Sequence, residues 1–220
     1  MCGRYALHTH PRVVALTLGL AAPHEFAPRF NIAPLSDVLI VRAGTRGEPQ
    51  AANVRWGLLP RWAKDPKLAA KLNNARAETF AEKPSFRDVF RRRRCLVPAS
   101  GFYEWRAEGR RNQPYYVHPT RAELFAFAGI WERWEGPQGP LETCAIITTD
   151  ANEVMRAIHD RMPVILAAGD YARWLEDCRP ANDVAELLRP ADPGSIEACR
   201  VAPQVNESRN DGPELVEPLP

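Results

Sequence analysis

The stretch Cys95-Leu96-Val97-Pro98-Ala99-Ser100-Gly101-Phe102-Tyr103-Glu104-Trp105 holds two apolar runs, Cys95–Val97 and Phe102–Trp105, with no helical segment between them. Both read as strands, and outward from them the same kind of run recurs at Asp37–Arg42, Ala51–Leu58, Tyr115–His118, Leu124–Arg133, Cys144–Thr148 and Val164–Leu166. Helical segments are shorter and fewer. Ser85 can cap Phe86–Arg91, Asp150 can cap Asn152–Ala157, and two further helices are expected at Tyr171–Asp177 and Asp183–Leu188. Strands and helices therefore do not alternate as βαβ units, which predicts an α+β fold with a mainly antiparallel β core and flanking short helices rather than a doubly wound sheet. The 21 prolines are scattered as punctuation and no repeat or low-complexity linker divides the chain. One domain over residues 1–210 follows, with the proline-rich residues 211–220 expected as an extended tail.

The chain has 220 residues, 45% apolar and 25% charged, enough to bury a sizeable core. No apolar run approaches the roughly 18 to 20 residues that cross a bilayer as a helix, so no membrane partner is expected. A net charge of +2 is too mild for a polycation, so any nucleic-acid contact must come from local placement of charge. The basic residues are 25 Arg and 4 Lys. Arginine suits bidentate phosphate grip and base stacking, although G- and C-rich codon usage produces the same bias. Five cysteines with no C-x-x-C spacing argue against a disulfide framework and a metal site, and point to a reducing, cytoplasmic setting with no cofactor. Val13–Ala22 follows Arg4 and Arg12 and has the look of a signal-peptide core, but Thr9 and Pro11 open it as a short buried helix carrying Val13, Val14, Leu16, Leu18 and Leu20.

Cys2 stands where methionine removal would leave a free α-amino group beside its own thiol. Such a 1,2-aminothiol condenses with an aldehyde through nitrogen and closes through sulfur into a five-membered thiazolidine. An α-amino group of pKa about 7.7 to 8.0 is partly neutral at pH 7, whereas a thiol near 8.5 is mostly protonated without help. The alternative is that Cys2 is incidental. Asn73–Thr79 strings hydrogen-bonding residues among small apolar ones; if extended, Asn74 and Arg76 share a side, where an amide orients the nucleophile and a guanidinium holds a phosphate. A polar loop is the bland reading. Glu104 lies among three aromatics, a setting of low polarity in which a carboxyl can deliver or take a proton, unless it is simply a half-exposed strand residue. His159, in Ile158–Pro163 with Arg161 close by, suits proton shuttling, though a lone histidine is as readily structural. In Trp56–Trp62, Trp56 is assigned to packing and Trp62 to stacking on an unpaired base. Arg91–Arg94 reads as a solvated basic face or a nucleic-acid contact.

Taken together, these segments resemble the SOS response-associated peptidase (SRAP) family. The resemblance runs through Met-Cys-Gly-Arg-Tyr at the start, Phe30–Pro34, Trp56–Trp62, Asn74–Thr79, Arg94–Ala99 into Gly101–Trp105, Phe127–Trp131, Thr149–Asn152, Ile158–Pro163, Val205-Asn206 and Asn210–Leu215. It implies a barrel-like β core and a protein that senses abasic sites in single-stranded DNA, crosslinking Cys2 to the ring-opened sugar aldehyde. By position, Asn74 would hold the amine and aldehyde, Glu104 would assist proton transfer, and His159 would serve the Schiff base. Arg4, Arg76 and Arg161 would clamp phosphates, while Pro34 and Trp62 would lie against flanking bases. The chain departs from some members in having Ala63, not a second aromatic, after Trp62. The peptidase label fits self-removal of Met1. A monomer that acts on the nucleoid in the DNA-damage (SOS) response is expected. Two rivals stand beside this reading: a glutamine amidotransferase using Cys2 as N-terminal nucleophile, and a noncovalent single-strand reader in which Cys2 is inert.

Overall fold

Residues 95–105 turn out to be where the chain leaves one sheet for another. In the computed structural model, which describes residues 2–79, 84–109, 111–176 and 181–220, the strands are β1 (Tyr5–Leu7), β2 (Arg29–Ile32), β3 (Asp37–Ala43), β4 (Pro49–Trp56), β5 (Asn74–Arg76), β6 (Arg94–Ala99), β7 (Gly101–Glu108), β8 (Arg111–Pro119), β9 (Phe125–Gly136), β10 (Gly139–Asp150), β11 (Arg161–Pro163), β12 (Ile165–Leu166) and β13 (Ile196–Arg200). The α-helices are α1 (Pro11–Leu18), α2 (Pro84–Arg92), α3 (Glu153–Arg156), α4 (Tyr171–Leu175) and α5 (Ala181–Ala185). Strands β10, β4, β3, β6 and β9 pair in that order, and β9 pairs back onto β10, closing a five-stranded barrel. Closure removes the exposed edges that an open sheet would carry. A second sheet, in the order β13-β8-β7-β1-β2, is antiparallel throughout. Ser100 makes the corner between β6 and β7, its buried Oγ accepting from the backbone N–H groups of His8 at 2.9 Å and Thr9 at 3.0 Å.

So small a barrel has room only for small inward side chains. A Cβ on Gly129 of β9 would stand 2.9 Å from Cys95 Sγ and 3.0 Å from Val97 Cγ2. Strand β6 is buried along its whole length because one side lines the barrel and the other is covered, which is why its sequence is a continuous apolar run without alternation. After β4 the chain detours through a 3-10 turn at Pro66–Lys71 and returns as β5, which lies parallel to β10 further along the edge that β4 occupies.

Several expectations need correction. Asp150 does not cap α3: Asn152 is the N-cap, accepting from Met155 N at 3.0 Å. Helix α1 is capped by His10 rather than Thr9, and its Leu16 is 84% exposed because residues 14, 15 and 18 take the buried face. Helix α5 ends at Ala185, short of the expected Leu188. Part of the expected helix Tyr171–Asp177 falls outside the described residues, as does Cys178. The segment from Asp211 is not an extended tail. Pro213–Val216 forms a 3-10 turn whose Leu215 is fully buried against Ala6, Tyr103, Tyr116, Val201 and Val205 on the outer face of the second sheet. That apolar face needs a cover, and a chain end supplies one. No helix among the described residues is long and apolar enough to cross a membrane.

Candidate active site at the seam between barrel and sheet

Cys2 sits where the two sheets meet. Strand β1 pairs with β7, Tyr5 opposite Phe102, and Tyr103 N donates to Arg4 O at 2.9 Å. Continued by one residue, the ladder sets Gly3 opposite Glu104. From the barrel side, β5 brings Asn74, whose Nδ2 donates to the Cys2 carbonyl at 2.8 Å. Cys2 and Glu104 are both buried, and burial first, then the Glu104 carboxylate, pushes the Cys2 thiol far above its ordinary range. The thiol is therefore neutral at pH 7. Asn74 Oδ1 is buried without a hydrogen-bond partner among the described residues, an acceptor facing no donor.

Arg76 follows Asn74 on the same side of the extended β5 and is exposed. Its neighbour Arg161, which opens β11, is already engaged. Nη1 donates to Glu78 Oε1 at 2.8 Å and Asp150 Oδ1 at 2.7 Å, and Nη2 to Glu78 Oε2 at 3.0 Å and Thr148 O at 2.9 Å. Burial pushes the Glu78 carboxyl up, but the Arg161 fork outweighs it and holds the group below the usual carboxylate range. His159 stands two residues ahead, its Nδ1 accepting from Arg161 N at 3.0 Å. Asp160 Oδ1 also approaches Nδ1 at 2.8 Å, a contact that needs the proton on Nδ1, so the two contacts compete for this nitrogen and the tautomer follows whichever is made.

Cys2, Asn74 and Glu104 are thus drawn together, and Arg76, Arg161 and His159 share the end of β10 where β5 and β11 pair with it. Arg4 is on the other face of the second sheet. Its Nη1 donates to Asn31 Oδ1 and to Val205 O, both at 2.8 Å, and the guanidinium lies 5.9 Å from the Trp105 ring centroid. It borders a groove of about 950 Å³ that Trp105, Arg111, Arg200 and Asn206 also line. Pro34 lies in the turn Ala33–Ser36, where Leu35 adopts φ 70° and is 48% exposed. Trp62 is 58% exposed, while Ala63 beneath it is buried, its carbonyl accepting from Trp134 Nε1 at 2.7 Å. Trp56 is fully buried. Of the run Arg91–Arg94, Arg93 pairs with Glu132 and Arg94 is buried, donating to the Trp174 carbonyl at 2.7 Å, so half of it is structural.

Sequence reasoning missed three groups. Asn31 is buried and holds the C-terminal segment by donating to the carbonyls of Val205, Glu207 and Asn210. Tyr5 is wholly buried, its hydroxyl unpartnered among the described residues. Glu78 is the counter-ion of Arg161. All three stood in quoted motifs, but the partners of Asn31 and Glu78 lie in segments far away along the chain. Among the described residues no group of three or more His, Cys, Asp or Glu is placed to hold a metal ion.

Fold and site together define a strand-rich α/β protein whose second residue, a cysteine, sits between a carboxylate and an amide at the seam of a closed barrel and a second sheet. Known proteins resemble this chain in sequence and in fold. A profile described as SOS response associated peptidase (SRAP) matches residues 1–208. The "Abasic site processing protein YoqW" of Bacillus subtilis (strain 168) is 42% identical over 224 residues, covering 99% of each chain. The "Abasic site processing protein HMCES" of Gallus gallus is 36% identical, over 89% of this chain and 67% of that one. The X-ray crystal structure of a protein from Bacteroides thetaiotaomicron superposes with a TM-score of 0.86 at 28% identity, covering 99% of this chain and all of the other. The chain belongs to the SRAP family.

Proposed function

We propose that this protein binds single-stranded DNA at abasic sites and shields them as a covalent thiazolidine through Cys2 once Met1 has been removed. The observation that carries the reading is the meeting of the Cys2 carbonyl with Asn74 Nδ2 at 2.8 Å, beside the buried Glu104 carboxylate. Relatives named abasic site processing proteins supply the substrate class. Hydrolysis of the Met1–Cys2 bond would free the amine, which Asn74 Oδ1 would orient. The neutral amine attacks the open-chain sugar aldehyde, and a proton delivered by Glu104 or His159 lets the carbinolamine lose water as the imine forms. The Cys2 sulfur then attacks the imine carbon, and its proton passes to nitrogen. The balance is aldehyde plus aminothiol giving thiazolidine plus one water. Ring closure removes the imine that would otherwise act as electron sink for β-elimination and strand scission.

Arg76 and Arg161 would hold phosphates beside the lesion, a phosphate taking the place of the exposed Asp150 carboxylate on Arg161, and Pro34 and Trp62 would lie against flanking bases. Two phosphates neutralised by this arginine pair on a single strand contribute about −1.4 to the slope of log affinity against log salt. The test is intact mass spectrometry of the mature protein before and after incubation with single-stranded abasic DNA. Loss of Met1 followed by a heat-stable adduct is expected, and Cys2→Ala should keep DNA binding while losing that adduct. Glutaminase activity without an adduct would favour the amidotransferase reading instead.

A further inference from the structure

The 25 Arg and 4 Lys of this chain are not mixed at random. Three of the four lysines, Lys64, Lys67 and Lys71, line a single groove of about 440 Å³ together with Trp62, Asp65 and Leu68. All three are exposed, and Trp62 at one end is also exposed. Asp65 offsets one of these three charges and leaves two. Its Oδ1 accepts from Lys67 N at 2.9 Å as the cap of the 3-10 turn Pro66–Lys71, so the carboxylate is held against the backbone. The turn is pinned at both ends, by Leu58 N donating to Leu72 O at 3.0 Å and by Trp134 Nε1 donating to Ala63 O. The groove is thus a built feature with one aromatic face, an apolar floor at Leu68 and an excess of positive charge.

We propose that this groove carries the single strand away from the lesion on one side, its base stacked on Trp62 and its phosphates paired with the three lysines. The proposal rests on the reading of the Cys2 site as an abasic-DNA site and extends it. Lys71 is three residues before Asn74, and the six-residue turn covers about 12 Å at 2.0 Å per residue. That length corresponds to three or four nucleotides at about 3.4 Å each along a stacked strand. A lysine's flexible point charge follows a phosphate without fixing its geometry, and the contact stays independent of sequence.

The test measures noncovalent affinity of Cys2→Ala protein for single-stranded abasic oligonucleotides as salt is varied, with and without the triple change Lys64→Gln, Lys67→Gln, Lys71→Gln. The triple variant should flatten the log–log slope by about 2, from roughly 0.7 per neutralised phosphate on a single strand. Removing nucleotides beyond the first from one side of the lesion should flatten it equally in the parent and have no further effect in the triple variant. Trimming the other side should affect both proteins alike. An unchanged slope in the triple variant, or equal sensitivity to trimming on both sides, overturns the groove; so does retained DNA binding with loss of binding to polyglutamate, which would assign it to an acidic protein. Adduct formation by the Cys2-containing protein is scored separately, so that failure of the Cys2 chemistry and failure of the groove are told apart.

Discussion

Glu104 carries a buried carboxyl group on β7. On the sequence it is a carboxylate among aromatics; in the fold it is buried where its charge reaches the Cys2 thiol. Glu104→Gln keeps shape and burial but cannot exchange a proton. Its rate of adduct formation should fall by about 10² to 10⁴, the range typical of general acid–base catalysis, while noncovalent affinity for the same DNA stays within about twofold. A single-turnover gel assay reads both, and an unaltered rate would remove Glu104 from the chemistry. Cys2 stood out as a candidate in the sequence because it follows Met1, and Asn74, Glu104 and Arg76 because polar side chains stand there in otherwise apolar or small-residue runs. Glu78 was not legible as the partner of Arg161, since 83 positions separate them and only the pairing of β10 with both β5 and β11 brings them together.

At the scale of elements, strands were easier to foresee than their ends. Long apolar runs announced β3, β4, β6, β7, β9 and β10, whereas β1, β2, β11 and β13 are short or carry charges and take their strand form from neighbours. The 3-10 turn Pro66–Lys71 had no apolar period to betray it, and with it the lysine groove went unread. The closing segment was misjudged because its prolines suggested freedom, yet its Asp211 Oδ1 accepts from Asn31 N at 3.1 Å and Leu215 fills the outer face of the second sheet. Leu215→Ala should therefore cost about 2 to 5 kcal/mol, as for other large-to-small changes at buried sites, measured by denaturant unfolding. A change below about 0.5 kcal/mol would mean that this segment contributes nothing to the domain.

For the molecule as a whole, acid sensitivity follows from His8 at the join of the two sheets. Its ring stacks on Phe30 with centroids 5.0 Å apart, Nε2 lies 3.2 Å from Tyr116 Oη, and burial lowers its affinity for a proton. The unfolded chain takes up that proton near pH 6.5 and the folded one only at lower pH, so stability declines as pH falls through about 6.5. The thermal midpoint should drop between pH 7.5 and 5.5 in the parent and drop less in His8→Gln; equal drops would clear His8. The order of strands, the Cys2 that follows Met1 and the identity of the polar residues around it were determined by the sequence alone, because local periodicity and side-chain chemistry need no partner to be read. Closure of the barrel through β9 and β10, the commitment of Arg4 to Asn31 and Val205, and the meeting of Cys2 with Asn74 were decided only by tertiary structure. Each joins segments far apart along the chain, and a contact between distant segments exists only when burial of the whole core holds both in place.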